Sequence, residues 1–162
     1  MEDKSLQDIS KSLGLIFLLE RRLEYLLDKV LAQRDLTTKQ WLVLAAIEKS
    51  PSINLSIQDV AKRLSTSHQN IKAIALNLEK RGFVSLVKDR EDKRVTRLSI
   101  TPKCVSFWRE RESQDEELLL EIFKNLGDEE ISALPTTLIK ILKNTDRITE
   151  RIAMKEMEDL GR

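Results

Sequence analysis

The sequence predicts a mainly α protein with a small β-hairpin wing: a winged helix-turn-helix domain plus N- and C-terminal helical dimerisation regions. Three observations carry this expectation. Residues 55–101 run in the order short helix, tight turn, amphipathic helix and charged hairpin, which is the order of parts in a winged helix-turn-helix. Apolar residues spaced by three and four continue on both sides of that segment, as on long amphipathic helices. Only four Gly and three Pro occur in 162 residues, so few loops can interrupt those helices.

The first helix is expected over residues 5–33. Leu6, Ile9, Leu13, Ile16, Leu23, Leu27 and Val30 form its stripe, interrupted once by Glu20 and widened by Leu15, Phe17, Leu18, Leu19 and Leu26. A surface helix of a monomer seldom buries so much, and a partner chain would supply the cover. Thr37 and Gln40 have capping-box spacing, with Leu36 and Trp41 as a hydrophobic staple, so a second helix is predicted over 38–49, with Pro51 helping to end it. Ser56 and Asp59, with Leu55 and Val60, repeat that grammar and open a short helix over 57–64.

After Ser65 and Thr66, Ser67 is the expected N-cap of a helix running to residue 81, stopped by Gly82. Ile71, Ile74, Ala75 and Leu78 would be buried, leaving His68, Gln69, Lys72, Ala73 and Asn77 outward or flanking, with Asn70 near the first turn. Two strand-like runs, 83–87 and 95–100, follow. They flank a tip of Asp89, Arg90, Glu91, Asp92, Lys93 and Arg94. Thr101 and Pro102 then restart helix to about residue 126, broken at Gly127 and Asp128. The last segment carries Ile131, Leu134, Leu138, Ile141, Ile148 and Ile152. Pro135 lies inside that pattern and predicts a kink or short break.

Net charge over the whole chain is +1, but residues 55–101 alone carry ten basic and five acidic side chains. A basic block in an otherwise near-neutral chain is the footprint of phosphate contact. Amides and an amine on an outward helix face suit base edges and phosphates. Arg90, Lys93 and Arg94 at the hairpin tip can reach a minor groove or its phosphates. The acidic neighbours would repel DNA if unpaired, so Asp92 is expected to hold an arginine in place through a carboxylate–guanidinium bond.

Other classes find little support. One His and one Cys cannot build the usual four-ligand zinc site, so no metal is expected. The glycines stand alone, without a phosphate loop, and the carboxylates run in solvated clusters. No cofactor and no enzymatic activity are expected. The apolar run from Leu15 to Leu19 is too short to cross a bilayer, and the start Met-Glu-Asp-Lys lacks the pattern of a secretory signal. No membrane association and a cytoplasmic location are expected, and Cys104 reads as a packed thiol.

The order of these pieces resembles the MarR (multiple antibiotic resistance regulator) family. Leu36, Thr37, Gln40, Trp41, Val43 and Leu44 look like its signature before the helix-turn-helix. Asp59, Val60, Ala61 and Leu64, then residues 78–84, look like the helix-turn-helix itself. Asp89, Asp92, Lys93 and Arg94, followed by Leu98, Ser99, Ile100 and Thr101, resemble the wing. Ala73 stands where the family often has Arg. Leu76 replaces a usual polar residue and suggests a local packing contact, and Cys104 replaces a common Gly.

The resemblance implies a homodimer on a pseudo-palindromic operator in double-stranded DNA, usually as a repressor. It also implies release by a small aromatic or amphipathic ligand, bound among the first helix, the helix after Thr37 and the start of the helix after Thr101. Ser67, His68, Gln69, Asn70 and Lys72 would contact DNA from the recognition helix and Arg94 from the wing, with Asn77, Arg90 and Lys93 as further candidates and Asp92 orienting the wing. Leu6, Ile9, Leu13, Ile16, Ile141, Ile148 and Ile152 would pair the subunits. The expected division is 1–34 dimerisation helix, 35–101 DNA-binding domain and 102–162 dimerisation helices. The alternative is a winged-helix protein-interaction module without specific DNA binding.

Overall fold

A computed structural model describes residues 2–50 and 54–160; Pro51, the expected helix stop, lies outside the described residues. In chain order, α1 spans Glu2–Leu31, α2 Thr38–Glu48, β1 Leu55–Ser56, α3 Ile57–Arg63 and α4 His68–Lys80. The strands β2 (Val84–Lys88) and β3 (Thr96–Ile100) follow, then α5 (Pro102–Ile122) and α6 (Asp128–Leu160). The fold class is the predicted one, mainly helical with a small antiparallel sheet. The chain divides into two compact units, residues 1–110 and 111–162.

Both predicted capping boxes form. Thr37 Oγ1 accepts from the Gln40 N–H at 3.2 Å while the Thr37 N–H donates to Gln40 Oε1 at 3.1 Å. Ser56 and Asp59 do the same, and the Ser56 hydroxyl also donates to Asp59 at 2.6 Å. Those bonds to the ionised carboxylate hold the Asp59 carboxyl below its ordinary value. Each box satisfies helix N–H groups that would otherwise lack partners, and so fixes where α2 and α3 begin.

The stop after α4 is a Schellman motif. The Phe83 N–H reaches the Leu78 carbonyl at 2.9 Å and the Gly82 N–H reaches Glu79 at 2.8 Å. Gly82 takes φ +75°, which costs glycine nothing and a side-chain residue about 1 kcal/mol. Phe83 and Leu78 are both buried in the core, which seats the chain as it turns into the sheet.

A third strand, missed in the sequence, completes the sheet in the order β1-β3-β2. Leu98 on central β3 lies between Leu55 and Leu86 and is fully buried. With Val43, Leu44, Val60, Ile71, Ala75 and Leu78 it forms the core under α2, α3 and α4. Burial of one such Leu contributes about 2 kcal/mol. Two residues are too few to show alternation, so β1 could be found only through its partner.

Two expectations about the later helices are corrected. The helix α5 ends at Ile122 instead of near residue 126, because Asn125 adopts φ +70° and turns the chain early. Gly127 then donates to Glu130 Oε2 at 2.8 Å, and α6 starts. No break occurs at Pro135: α6 is helical throughout Asp128–Leu160. A proline removes one donor, and the turns on either side keep theirs.

Candidate nucleic-acid interface

The interface is built on the turn between α3 and α4. Ser65 sits at φ +47°, and the Thr66 N–H returns to the Ala61 carbonyl at 3.0 Å, so α3 ends sharply before α4 begins. Ser67 caps α4 by accepting from the Asn70 N–H at 3.1 Å, and the Asn70 amide donates to Thr66 Oγ1 at 2.9 Å. Ser67 and Asn70 therefore shape the start of the helix and remain exposed there.

Ile71, Ala75 and Leu78 face inward on α4. Opposite them, Gln69, Ala73, Leu76 and Lys80 follow one another at spacings of four, three and four, and all are exposed. Lys72 and His68 flank that row. Among the described residues, the side chains of His68, Gln69 and Lys72 make no hydrogen bond or ion pair, which leaves them available to a partner. Leu76 is not among the residues packed on the core; it is 49% exposed, on the face of α4 away from the buried stripe.

Asn77, exposed on α4, also makes a bond within the fold. Its amide oxygen accepts from Gln40 Nε2 at 2.9 Å, tying α4 to α2. Arg81 fastens the far end of α4, donating to the carbonyls of Asp35 at 2.6 Å and Arg34 at 2.8 Å. The exposed row thus stands on a helix anchored to the end of α1 and to α2. These anchors join residues about forty positions apart, and nothing in the local sequence marks them.

In the wing, both aspartates at the tip are engaged. Asp92 accepts from Arg94 Nε at 3.1 Å and from its second nitrogen at 3.2 Å, and also from the Arg94 N–H at 2.9 Å. The Arg94 side chain is still 92% exposed. Asp89 accepts from the N–H groups of Glu91 at 2.9 Å and Asp92 at 3.0 Å, and its other oxygen pairs with Arg97. The backbone donors, led by Asp92, and the Arg97 guanidinium lower the Asp89 carboxyl to about 2. Arg97 also donates to the Asn54 carbonyl at 2.9 Å, joining the wing to the chain before β1.

Asp89 and Asp92 therefore brace the tip while Arg90, Lys93 and Arg94 stay exposed. A groove of about 480 Å³ runs beside them, lined by Asn54, Val87, Asp89, Arg90, Arg97 and Ser99 among others. Sequence reading missed Asp89 and Arg97 as a pair. Their signal is the hairpin register, in which Arg97 faces Val87, two residues before Asp89.

A capped, outward-facing second helix and a braced cationic wing define the class: a winged helix-turn-helix DNA-binding regulator. Comparison with known proteins makes this specific. The MarR family model matches residues 34–95. The transcriptional activatory protein BadR of Rhodopseudomonas palustris is 30% identical over 122 residues, 73% of this chain and 69% of BadR. The chain belongs to the MarR family, whose members here are transcriptional regulators and not enzymes.

Solved structures agree on the fold. A mutant of MarR from E. coli complexed with operator DNA matches with a TM-score of 0.71 at 24% identity, covering 83% of this chain and 96% of that one. BpsR of Bordetella bronchiseptica, whose DNA binding is regulated by 6-hydroxynicotinic acid, matches with a TM-score of 0.66 at 21% identity. That match covers 79% of this chain and 90% of BpsR. No described helix is long and apolar enough to cross a membrane.

Proposed function

We propose that this MarR-type regulator binds a pseudo-palindromic operator as a cytoplasmic homodimer, blocks transcription there, and is released by a small aromatic or amphipathic ligand. The observation that carries the DNA reading is Arg94: its guanidinium is oriented by Asp92 yet almost wholly exposed. Holding an arginine in place reduces the entropy lost when it meets a phosphate or a minor groove. Ser67, His68, Gln69, Asn70 and Lys72 serve the major groove, and Arg90 and Lys93 join Arg94 at the wing. Asn77 would contribute its amide N–H groups, since its carbonyl accepts from Gln40.

The functional division of the chain follows. Residues 35–101 are the reading head, and residues 1–34 and 102–162 pair the subunits. Leu6, Ile9, Leu13 and Ile16 on α1, and Ile141, Ile148 and Ile152 on α6, are exposed as each unit stands. Such apolar surface marks an interaction site. The ligand crevice lies among α1, α2 and the start of α5, where Trp41 and Trp108 meet edge to face at 6.3 Å. The regulation of BpsR by 6-hydroxynicotinic acid is the precedent for a small aromatic acid. BadR acts as an activator by name, so the sign of the output is part of the test.

Genomic fragments selected by the protein should bind with an affinity that falls steeply with salt. Arg94→Ala and Lys72→Ala should each flatten the log–log salt slope by about one for every phosphate interaction they remove. If Arg94→Ala binds as wild type at every salt concentration, the wing assignment fails. If no fragment is bound specifically, the protein-interaction reading replaces this one. Transcription from the selected fragment, with and without the protein, distinguishes repressor from activator.

A further inference from the structure

We infer that α4 reads thymine through its 5-methyl group, with Leu76 as the specificity-determining residue and Ala73 as the neighbour that lets it approach. The inference rests on the DNA-binding reading above and names what that site recognises. The occupant is the major groove of a duplex carrying thymine, not a protein surface. Lys72 and Lys80 border the apolar step, and Gln69 precedes it on the same row, so cations and an amide surround it. A polyanion with an apolar feature at the right depth fits that pattern.

A single exposed leucine is ordinary on a protein surface. This one is placed otherwise: it belongs to the exposed row of Gln69, Ala73 and Lys80, on the face that the anchored helix turns away from buried Ile71, Ala75 and Leu78. Neither Leu76 nor Ala73 can form a hydrogen bond through its side chain. Along a major groove, the thymine methyl is the one apolar group on the base edges; the other groups are hydrogen-bond donors and acceptors. Leucine packed against those would strip them of water and return nothing. Against a methyl it gains by burial. The rise of 1.5 Å per residue puts Leu76 about 10 Å along the helix from Gln69, so the amide and the methyl are read a few base pairs apart.

The test replaces thymines in a selected operator duplex by deoxyuridine, one position at a time and symmetrically in both half-sites, which removes only the methyl group. Binding by the full-length protein is followed by fluorescence anisotropy. Wild type should lose about fourfold in affinity for each methyl it buries, at one or two positions per half-site. Leu76→Gln should bind the thymine duplex more weakly and become indifferent to uridine at those positions. Leu76→Ala provides the same readout should the Gln variant misfold, as judged by circular dichroism. The inference is overturned if uridine is tolerated everywhere, or if both Leu76 variants keep the wild-type penalties. Specific binding without methyl dependence removes this inference alone; absence of any specific binding removes the DNA reading with it.

Discussion

At the scale of single residues, Cys104 shows how placement decides chemistry. It is fully buried on the inward face of α5, in the same core as Phe107 and the Trp108 indole. Burial first, and the Glu48 carboxylate second, raise its thiol to about 11, which leaves almost no thiolate at neutral pH. The native protein at pH 8 should therefore react with Ellman's reagent at least a hundredfold more slowly than the same protein in guanidinium chloride. Stoichiometric labelling of the native state within minutes would refute a packed, inert thiol. The arginines of the tip make a complementary case. Asp89 and Asp92 look in sequence like a liability for DNA binding, yet each is occupied by an arginine or by backbone N–H groups.

At the scale of elements, the wing hairpin depends on the ionised Asp89. Its carboxyl lies at about 2 in the folded chain against 3.8 ordinarily, so the folded state holds the charged form more tightly. The stabilisation is fully present above pH 3.8 and is lost as the pH falls towards 2. In a carboxyl-resolved NMR titration, Asp89 should keep its ionised shift down to about pH 3, and Arg97→Gln should move its midpoint up towards the ordinary value. A midpoint unmoved by that change would assign the shift to the backbone donors alone. Hydrogen exchange at Glu91 and Asp92 should quicken in Asp89→Asn, because the neutral amide accepts less strongly from their N–H groups.

The helical elements behave more locally. Thr37 and Ser56 define their own helix starts, and the boundaries of α2, α3 and α4 were legible within a residue or so. The end of α5 was not. The chain leaves the helix after Ile122 and turns left-handed at Asn125, ahead of the break signalled by Gly127 and Asp128. Asparagine tolerates that conformation but does not demand it, so its presence in sequence is a weak signal.

At the scale of the whole molecule, the exposed leucines and isoleucines of α1 and α6 set the expectation of a dimer. Light scattering at tens of micromolar should give twice the chain mass, and the thermal midpoint should rise with protein concentration, as it does for any fold stabilised by self-association. Leu13→Lys and Ile148→Lys should each shift the mass towards monomer and weaken operator binding, while leaving the far-ultraviolet spectrum of the reading head in place. A wild-type protein that stays monomeric across that range would end the dimer proposal. The two tryptophans, Trp41 and Trp108, are seated beside the proposed ligand crevice, so quenching of their emission on adding a candidate aromatic acid would report its entry.

The chain by itself determined the class of fold, the capped starts of α2, α3 and α4, and the family. Those features rest on local patterns, periodicity, capping pairs and stop residues, which a few neighbouring side chains decide. Only the tertiary structure decided what the charged and polar residues are used for. It paired Arg97 with Asp89, bound Asn77 to Gln40, anchored Arg81 on the carbonyls after α1, and left Leu76 outward. The two pairings on α4 join residues about forty positions apart, Arg97 and Asp89 meet across the hairpin of β2 and β3, and the direction of Leu76 depends on which face of α4 the core claims. For the long-range pairings of Asn77 and Arg81, no local pattern carries that information.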